Sequence, residues 1–177
     1  MKIAALLTIF LLSTLIFYAT DKFSLSDAAL NNNTMFIKLA VNLGADINTV
    51  NKNNVTLLMT ASIKGHKELA AYLLNNNANP NLTNNQGISP LYTSCMLGHK
   101  ELVALLLNND ALPNIKINEV ISTPLMSAVV NDRVEIVRIL LKFGANPNIK
   151  NTEGKTAIEL TNNNAIISIL NQYIKSS

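Results

Sequence analysis

The sequence repeats itself with a period of about 33 residues, and this period constrains the fold more than any other feature. The segment Gly65-His66-Lys67-Glu68-Leu69 recurs one period later as Gly98-His99-Lys100-Glu101-Leu102. A hydroxyl residue recurs at the matching position of successive copies: Thr56, Ser89, Thr123 and Thr156. Such a period is typical of solenoids built from stacked helical hairpins, which bind other proteins more often than they catalyse reactions.

Within each copy, the residue types predict two short helices joined by a tight turn. Pro90 and Pro124 follow a hydroxyl residue, and proline suits the first helical position because its missing N–H would be unpaired there. Gly65 and Gly98 supply the permissive backbone that a turn between helices needs. The second helices carry apolar stripes with spacings of three and four: Leu69, Tyr72 and Leu73, then Leu102, Leu105 and Leu106. Each stripe is too small to form a core alone, so we expect the hairpins to stack.

These patterns identify a family resemblance. The segments Ser89-Pro90-Leu91, Thr123-Pro124-Leu125 and Gly144-Ala145-Asn146-Pro147-Asn148, with the Gly-His turns and the paired leucines, resemble the ankyrin repeat family over residues 23–173. The resemblance implies an all-α solenoid of helix-turn-helix units with projecting hairpin loops and a concave face. The implied repeats are approximately 23–50, 51–83, 84–117, 118–150 and 151–177.

The sequence departs from the family pattern in three places. The family usually has histidine after Pro-Leu, but here the residues are Met59, Tyr92, Met126 and Glu159, which calls that histidine's hydrogen-bond network into question. An insertion in the third full copy predicts an irregular loop around residues 115–122. In the last copy, Asn162 to Ala165 stand where the turn belongs, and we expect a polar terminal cap with its second helix over 165–174.

Residues 1–22 form a separate predicted segment, a signal anchor or a signal peptide. Residues 3–19 are apolar except for Thr8, Ser13 and Thr14. This run is at the lower limit for crossing a bilayer of about 30 Å and is slightly long for the apolar region of a signal peptide. Cleavage after Ala19 would place the bulky Phe17 at the −3 position, which favours an uncleaved hydrophobic anchor helix. A buried core helix is a third alternative, but the run is apolar all round and outside the repeat register.

The charges flanking this run predict an orientation. Lys2 precedes the run and places the N-terminus in the cytoplasm by the positive-inside rule, although Lys22 weakens this prediction. We therefore expect the repeats to lie outside the cytoplasm, anchored to the membrane, and in the periplasm if the source is bacterial. The alternative is a periplasmic or secreted protein after signal cleavage.

Composition and single residues argue against catalysis and nucleic-acid binding. The formal net charge is +3 and there is no dense run of Lys or Arg. The single Cys95 occupies a small-residue position, which predicts a buried thiol, and the two histidines lie at turns. The recurring glutamates stand in first turns of helices, where a carboxylate favours the helix dipole. We expect no enzyme activity, no cofactor and no metal site.

The family resemblance also implies which residues would bind a partner. In ankyrin repeats, the recognition surface is formed by hairpin-loop residues and the end of the first helix. Transferred by register, the candidates are Lys52, Asn53, Val55, Ile63, Lys64, Asn85, Gln86, Ile88, Met96, Leu97, Glu119, Val120, Ser122, Val130 and Asn131. Their apolar members would form a strip rimmed by amides and charges, which suits a protein partner. Alternatively, Ile63, Met96, Leu97 and Val130 complete the packing between repeats.

The resulting functional prediction is a monomeric, exported and membrane-tethered interaction module that binds an unknown protein. Two other hypotheses remain open from the sequence. One is a passive structural or membrane-organising protein in which the repeats are a spacer. The other is a secreted bacterial effector, which the position of the mature N-terminus would distinguish.

Overall fold

The computed structural model describes residues 24–117 and 122–174, and their regular structure is helical apart from one isolated bridge between Val50 and Thr56. The predicted N-terminal hydrophobic helix and the centre of the irregular loop lie outside the described residues. The helices are α1 Leu25–Leu30, α2 Thr34–Asn42, α3 Leu57–Lys64, α4 Lys67–Asn75, α5 Pro90–Leu97, α6 Lys100–Leu107, α7 Pro124–Val130, α8 Val134–Lys142 and α9 Asn164–Ile174, with a 3-10 turn at Ala157–Leu160.

Each central repeat begins its first helix at a hydroxyl cap, as predicted. Thr56, Ser89 and Thr123 accept a hydrogen bond from the backbone N–H three residues on, at 3.1, 3.1 and 3.2 Å. Pro90 and Pro124 occupy the start of their helices. The cap pairs an N–H group that the helix itself cannot satisfy. Replacement of the family's histidine at the third helical position therefore leaves the helix starts intact.

The first helices end in left-handed residues that allow the next repeat to approach. Gly65 and Gly98 have φ of 72° and 82°, and Asp132 takes the same role with φ of 54°. A Cβ atom on Gly65 would lie 2.9 Å from the ring of His99, one repeat further on. Gly65 therefore serves both the turn and the contact between neighbouring repeats.

The helices form two layers. First helices pack in the order α1, α3, α5 and α7, followed by the 3-10 turn, while α4, α6, α8 and α9 form the second layer. The core consists mainly of leucines contributed by both layers, with an alanine or a serine where helices approach closely. Its largest members include Leu57, Leu69, Leu73, Leu91, Leu102, Leu106, Leu125 and Leu140. Because every hairpin buries its apolar face against its neighbours, no repeat holds a complete core of its own.

Asparagine side chains connect successive repeats through their loops. Asn48, Asn81 and Asn114 each accept a hydrogen bond from a backbone N–H of the next repeat, in all three cases at 2.8 Å. Asn81 also donates to the carbonyl of Asp110 at 2.9 Å, and Asn114 to that of Gly144 at 3.1 Å. We call these three residues the asparagine ladder. Other asparagines, such as Asn54 and Asn77, instead take a positive φ at turns. The bridging role of the ladder was not predicted from the sequence.

The last repeat is degenerate, as the sequence predicts. Its first helix is reduced to the 3-10 turn Ala157–Leu160. The Thr156 hydroxyl and N–H both donate to the Glu159 carboxylate, at 2.6 and 2.7 Å. The second helix, α9, begins at Asn164, just before the predicted start, and ends at Ile174 as predicted.

Candidate protein-binding site

The structure leaves all described candidate residues at least partly accessible. Glu119 and Val120 lie outside the described residues. Val55, Ile88 and Ser122 are half-buried. The exposed candidates are Lys52, Asn53, Ile63, Lys64, Asn85, Gln86, Met96, Leu97, Val130 and Asn131.

Four of these candidates form an apolar row along the first-helix layer, which we call the first-helix strip: Ile63, Met96, Leu97 and Val130. Three of them occupy one repeat position near the ends of α3, α5 and α7, and these helices pack side by side. Their exposed fractions range from 37% for Met96 to 61% for Val130. Packing between repeats therefore leaves a large part of each side chain accessible. Leu30, one repeat before Ile63, is also exposed and continues the register into α1, a position that the sequence prediction omitted.

Asparagine side chains shape the hairpin loops that carry the polar candidates. Asn51 accepts hydrogen bonds from the N–H groups of Asn53 and Val55, at 2.9 and 3.1 Å. One repeat later, Asn84 accepts from Gln86 and Ile88, both at 3.0 Å. These local bonds satisfy the backbone at the loop tips. The lysine and amide side chains of the tips remain exposed and can rim the strip with donors and acceptors.

A cavity of about 210 Å³ opens beside the C-terminal half of the strip. It lies between α5, α7 and the last repeat, and four predicted candidates line it. Its lining residues are Tyr92, Met96, Ser122, Met126, Ser127, Val130, Asn131, Asn151 and Leu160. Tyr92 and Met126 replace the family's histidine, so this departure was the sequence signal for part of the cavity. Asn151 and Leu160 gave no such signal, because their position depends on how the degenerate last repeat folds.

One of the residues that line the cavity, Ser127, has a buried hydroxyl group without a hydrogen-bond partner. Thr60 and Thr93 occupy the equivalent position in α3 and α5, and each donates to the carbonyl four residues earlier at 3.2 Å. Ser127 in α7 is 4% exposed, and its Oγ has no hydrogen-bond partner. A buried hydroxyl without a partner is unfavourable by about 1–3 kcal/mol.

Cys95 and the two histidines contact other parts of the fold and do not form a catalytic group with one another. Cys95 is fully buried in α5, and burial raises the pKa of its thiol, which keeps it protonated. His66 Nε2 lies 3.4 Å from the Leu30 carbonyl oxygen, and the His99 ring lies against Gly65. Over residues 24–117 and 122–174, no group of three or more His, Cys, Asp or Glu side chains is arranged to hold a metal ion.

Comparison with known families agrees with this architecture. A family model described as ankyrin repeats in three copies matches residues 25–119 and 76–151, which together cover more than half of the chain. The chain belongs to the ankyrin repeat family. Ankyrin repeats are protein–protein interaction modules, and the accessible apolar strip of this ankyrin repeat protein suits that role. A search of curated proteins found no match. None of the helices in the described part has both the length and the apolar character to cross a bilayer.

Proposed function

We propose that this ankyrin repeat protein is a non-enzymatic binding module that captures another protein with its first-helix strip and adjacent hairpin tips. One observation carries the proposal. Ile63, Met96 and Val130 repeat an apolar residue at one position of three packed helices, and each keeps more than a third of its surface exposed. Apolar side chains aligned across several repeats and bordered by amides have the anatomy of an interface core with a polar rim.

The cavity beside the strip gives the proposed interface an anchor point. Its volume of about 210 Å³ lies below the roughly 300–1,000 Å³ typical of pockets for drug-sized ligands. It therefore suits one apolar side chain of a partner better than a small-molecule ligand. Binding hot spots are typically single large side chains in such pockets. Met96 and Val130 would contact the apolar part of that side chain.

The same proposal places the repeats outside the cytoplasm, tethered to a membrane by residues 3–19. The support is the apolar character of that segment, the position of Lys2 before it, and the poor cleavage site created by Phe17. N-terminal sequencing of protein recovered from cell fractions tests the tether. The proposal requires a membrane-bound chain that starts at Met1, whereas a soluble chain that starts near Thr20 would contradict it.

Partner capture tests the binding surface. We expect Leu97→Lys and Val130→Lys to abolish capture of the partner that the unaltered protein retains from cells of its source, because each places an ammonium group in the apolar contact. Lysine already stands at the position equivalent to Leu97 in α3, as Lys64, and it is exposed there. Lysine is also favourable near a helix C-terminus. The substitutions should therefore leave helical content and melting temperature nearly unchanged.

Leu112→Lys is the matched control. Leu112 is an exposed leucine in the loop after α6 and is outside the strip. Capture should survive this substitution. Equal loss of capture in all three variants, or loss of folding in the two strip variants, would count against the strip as the binding surface.

A further inference from the structure

A second apolar surface lies on α2, away from the first-helix strip. Met35, Leu39 and Leu43 are exposed by 82%, 40% and 46% of their surfaces. Their i, i+4 spacing places them along one side of the helix and its C-terminal cap. We call these three residues the α2 stripe.

The stripe departs from the pattern that the other repeats keep. Met35 occupies the position of Glu68, Glu101 and Glu135, which are exposed carboxylates in the first turns of their helices. A charge is replaced by an apolar side chain only in the first repeat. Leu39 is exposed, whereas its equivalents Tyr72, Leu105 and Ile139 are half-buried. At the third position of the stripe, the equivalents of Leu43 are Asn76, Asn109 and the exposed Phe143, so the first repeat differs from the later ones mainly at Met35 and Leu39.

The two ends of the described stack differ in the same way. A terminal repeat of a solenoid normally needs a polar outer face to remain soluble. The last helix, α9, meets this need with exposed residues such as Asn164, Ser168 and Asn171. In contrast, α2 presents the apolar side chains of the stripe to solvent. This asymmetry indicates that the first repeat lies against an apolar phase.

The short segment between the apolar run and α1 limits how far the first repeat can lie from that run. The apolar run ends at Ala19, and α1 begins at Leu25. The intervening chain spans at most about 20 Å when fully extended. If residues 3–19 are inserted in a bilayer, the first repeat is held at the surface of that bilayer.

The small area of the stripe favours a bilayer over a second copy of the chain as the surface that covers it. Three partly exposed side chains offer an apolar area on the order of 300 Å², well short of the roughly 800 Å² per partner that a stable protein interface buries. Contact with a bilayer has no such requirement when a covalent tether already supplies a high local concentration. Lys38 on α2 is exposed, with its ammonium group over the Tyr72 ring, and adds a cation to a surface that meets lipid headgroups.

We infer that the α2 stripe rests in the interface of the bilayer that holds residues 3–19, so that α2 lies on the membrane surface. This inference rests on the tether proposed above. It assigns the first repeat a lipid-binding role and fixes the orientation of the repeat stack relative to the membrane. The first-helix strip then remains available to a protein partner.

Depth-dependent fluorescence quenching of the full-length protein in vesicles tests the inference. The variants are Met35→Cys and, as a control on the polar outer side of α9, Ser168→Cys, each labelled with an environment-sensitive fluorophore. Native Cys95 does not compete for the label, because it is fully buried and burial raises the pKa of its thiol. The vesicles contain phosphatidylcholine and phosphatidylglycerol, with a quencher either on the upper acyl chain of the lipid or dissolved as iodide.

At position 35, we expect a blue shift and loss of most emission to the lipid-borne quencher, with little loss to iodide. At position 168, iodide should quench and the lipid-borne quencher should not. Flotation of the same vesicles reports the tether separately. A chain that floats while position 35 behaves like position 168 overturns the inference and leaves the tether standing. A chain that does not float overturns both. A position 35 that is protected from both quenchers, in a chain that doubles its mass in detergent, means that a second copy covers the stripe, which also overturns the inference.

Discussion

Buried hydroxyl groups at adjacent positions of the repeat register in the first helices differ in whether they have a hydrogen-bond partner. Ser94 in α5 donates to the Pro90 carbonyl at 2.9 Å, whereas Ser127 Oγ in α7 has no hydrogen-bond partner. Both serines are almost completely buried. Since the net value of a hydrogen bond depends on pairing and not on the presence of a polar atom, the two hydroxyls should contribute oppositely to stability.

Ser94→Ala and Ser127→Ala form a matched pair that tests this difference. We expect Ser94→Ala to lower the free energy of unfolding by about 1 kcal/mol through loss of a net hydrogen bond, and Ser127→Ala to be neutral or stabilising. Urea denaturation followed by circular dichroism measures both. If Ser127→Ala destabilises the protein as much as Ser94→Ala does, the Ser127 hydroxyl has a hydrogen-bond partner within the fold.

At the scale of the element, loop side chains contribute to the contact between neighbouring repeats. The asparagine ladder satisfies backbone groups of the next repeat, so it aligns the loops as well as the helices. Asn81, like Asn114, makes two of these bonds: it accepts from Leu112 N–H at 2.8 Å and donates to the Asp110 carbonyl at 2.9 Å. Stability of a solenoid is approximately a sum of repeat and interface contributions, so the ladder should be measurable in global unfolding.

Asn81→Ala tests the ladder. It removes two hydrogen bonds worth about 0.5–1.5 kcal/mol each, so we expect a loss of about 1–3 kcal/mol in the free energy of unfolding. The control is Asn85→Ala, an exposed loop-tip asparagine outside the ladder. Chemical denaturation of both variants should separate them clearly. Equal small effects would show that the ladder bonds are exchanged for water without cost.

The capping box of the last repeat predicts a local dependence on pH. Hydrogen bonds from the Thr156 hydroxyl and N–H lower the pKa of Glu159 from its ordinary value of 4.5. A carboxyl with a lowered pKa in the folded state stabilises that state above its unfolded pKa, and this stabilisation is lost as the pH falls through the folded value. We therefore expect hydrogen exchange at residues 156–160, corrected for intrinsic rates, to accelerate below about pH 4.5. In Glu159→Gln, this acceleration should disappear.

At the scale of the whole molecule, the sequence predicted those features that depend only on residues within one repeat. The caps at Ser89 and Thr123 and the turn at Gly65 depend on single residue types, so their positions followed from the repeat register. The unpaired Ser127 and the cavity contribution of Leu160 depend on tertiary packing, which the register does not contain. The members of the asparagine ladder are spaced by one repeat period. The chain contains many other asparagines at turns, so this spacing did not distinguish the ladder residues from them.

The two proposals together assign two working surfaces to the protein. The first-helix strip, with its side cavity, is the proposed surface for a partner, and the α2 stripe is the proposed surface for the membrane. The partner surface is continuous across three repeats, because α3, α5 and α7 pack in order and each contributes an equivalent exposed apolar residue. Binding should therefore depend on several repeats at once, and single substitutions along the strip should affect the same partner.

Site-specific photo-crosslinking in cells of the source tests whether the first-helix strip binds the partner. A photoreactive amino acid is placed at Val130 or Met96 in the strip, or at Leu112 outside it, all of which are exposed apolar positions. We expect Val130 and Met96 to crosslink to one and the same protein and Leu112 not to crosslink to it. Crosslinking of that protein from Leu112 alone, or of unrelated proteins from the two strip positions, would contradict the first-helix strip as the partner-binding surface.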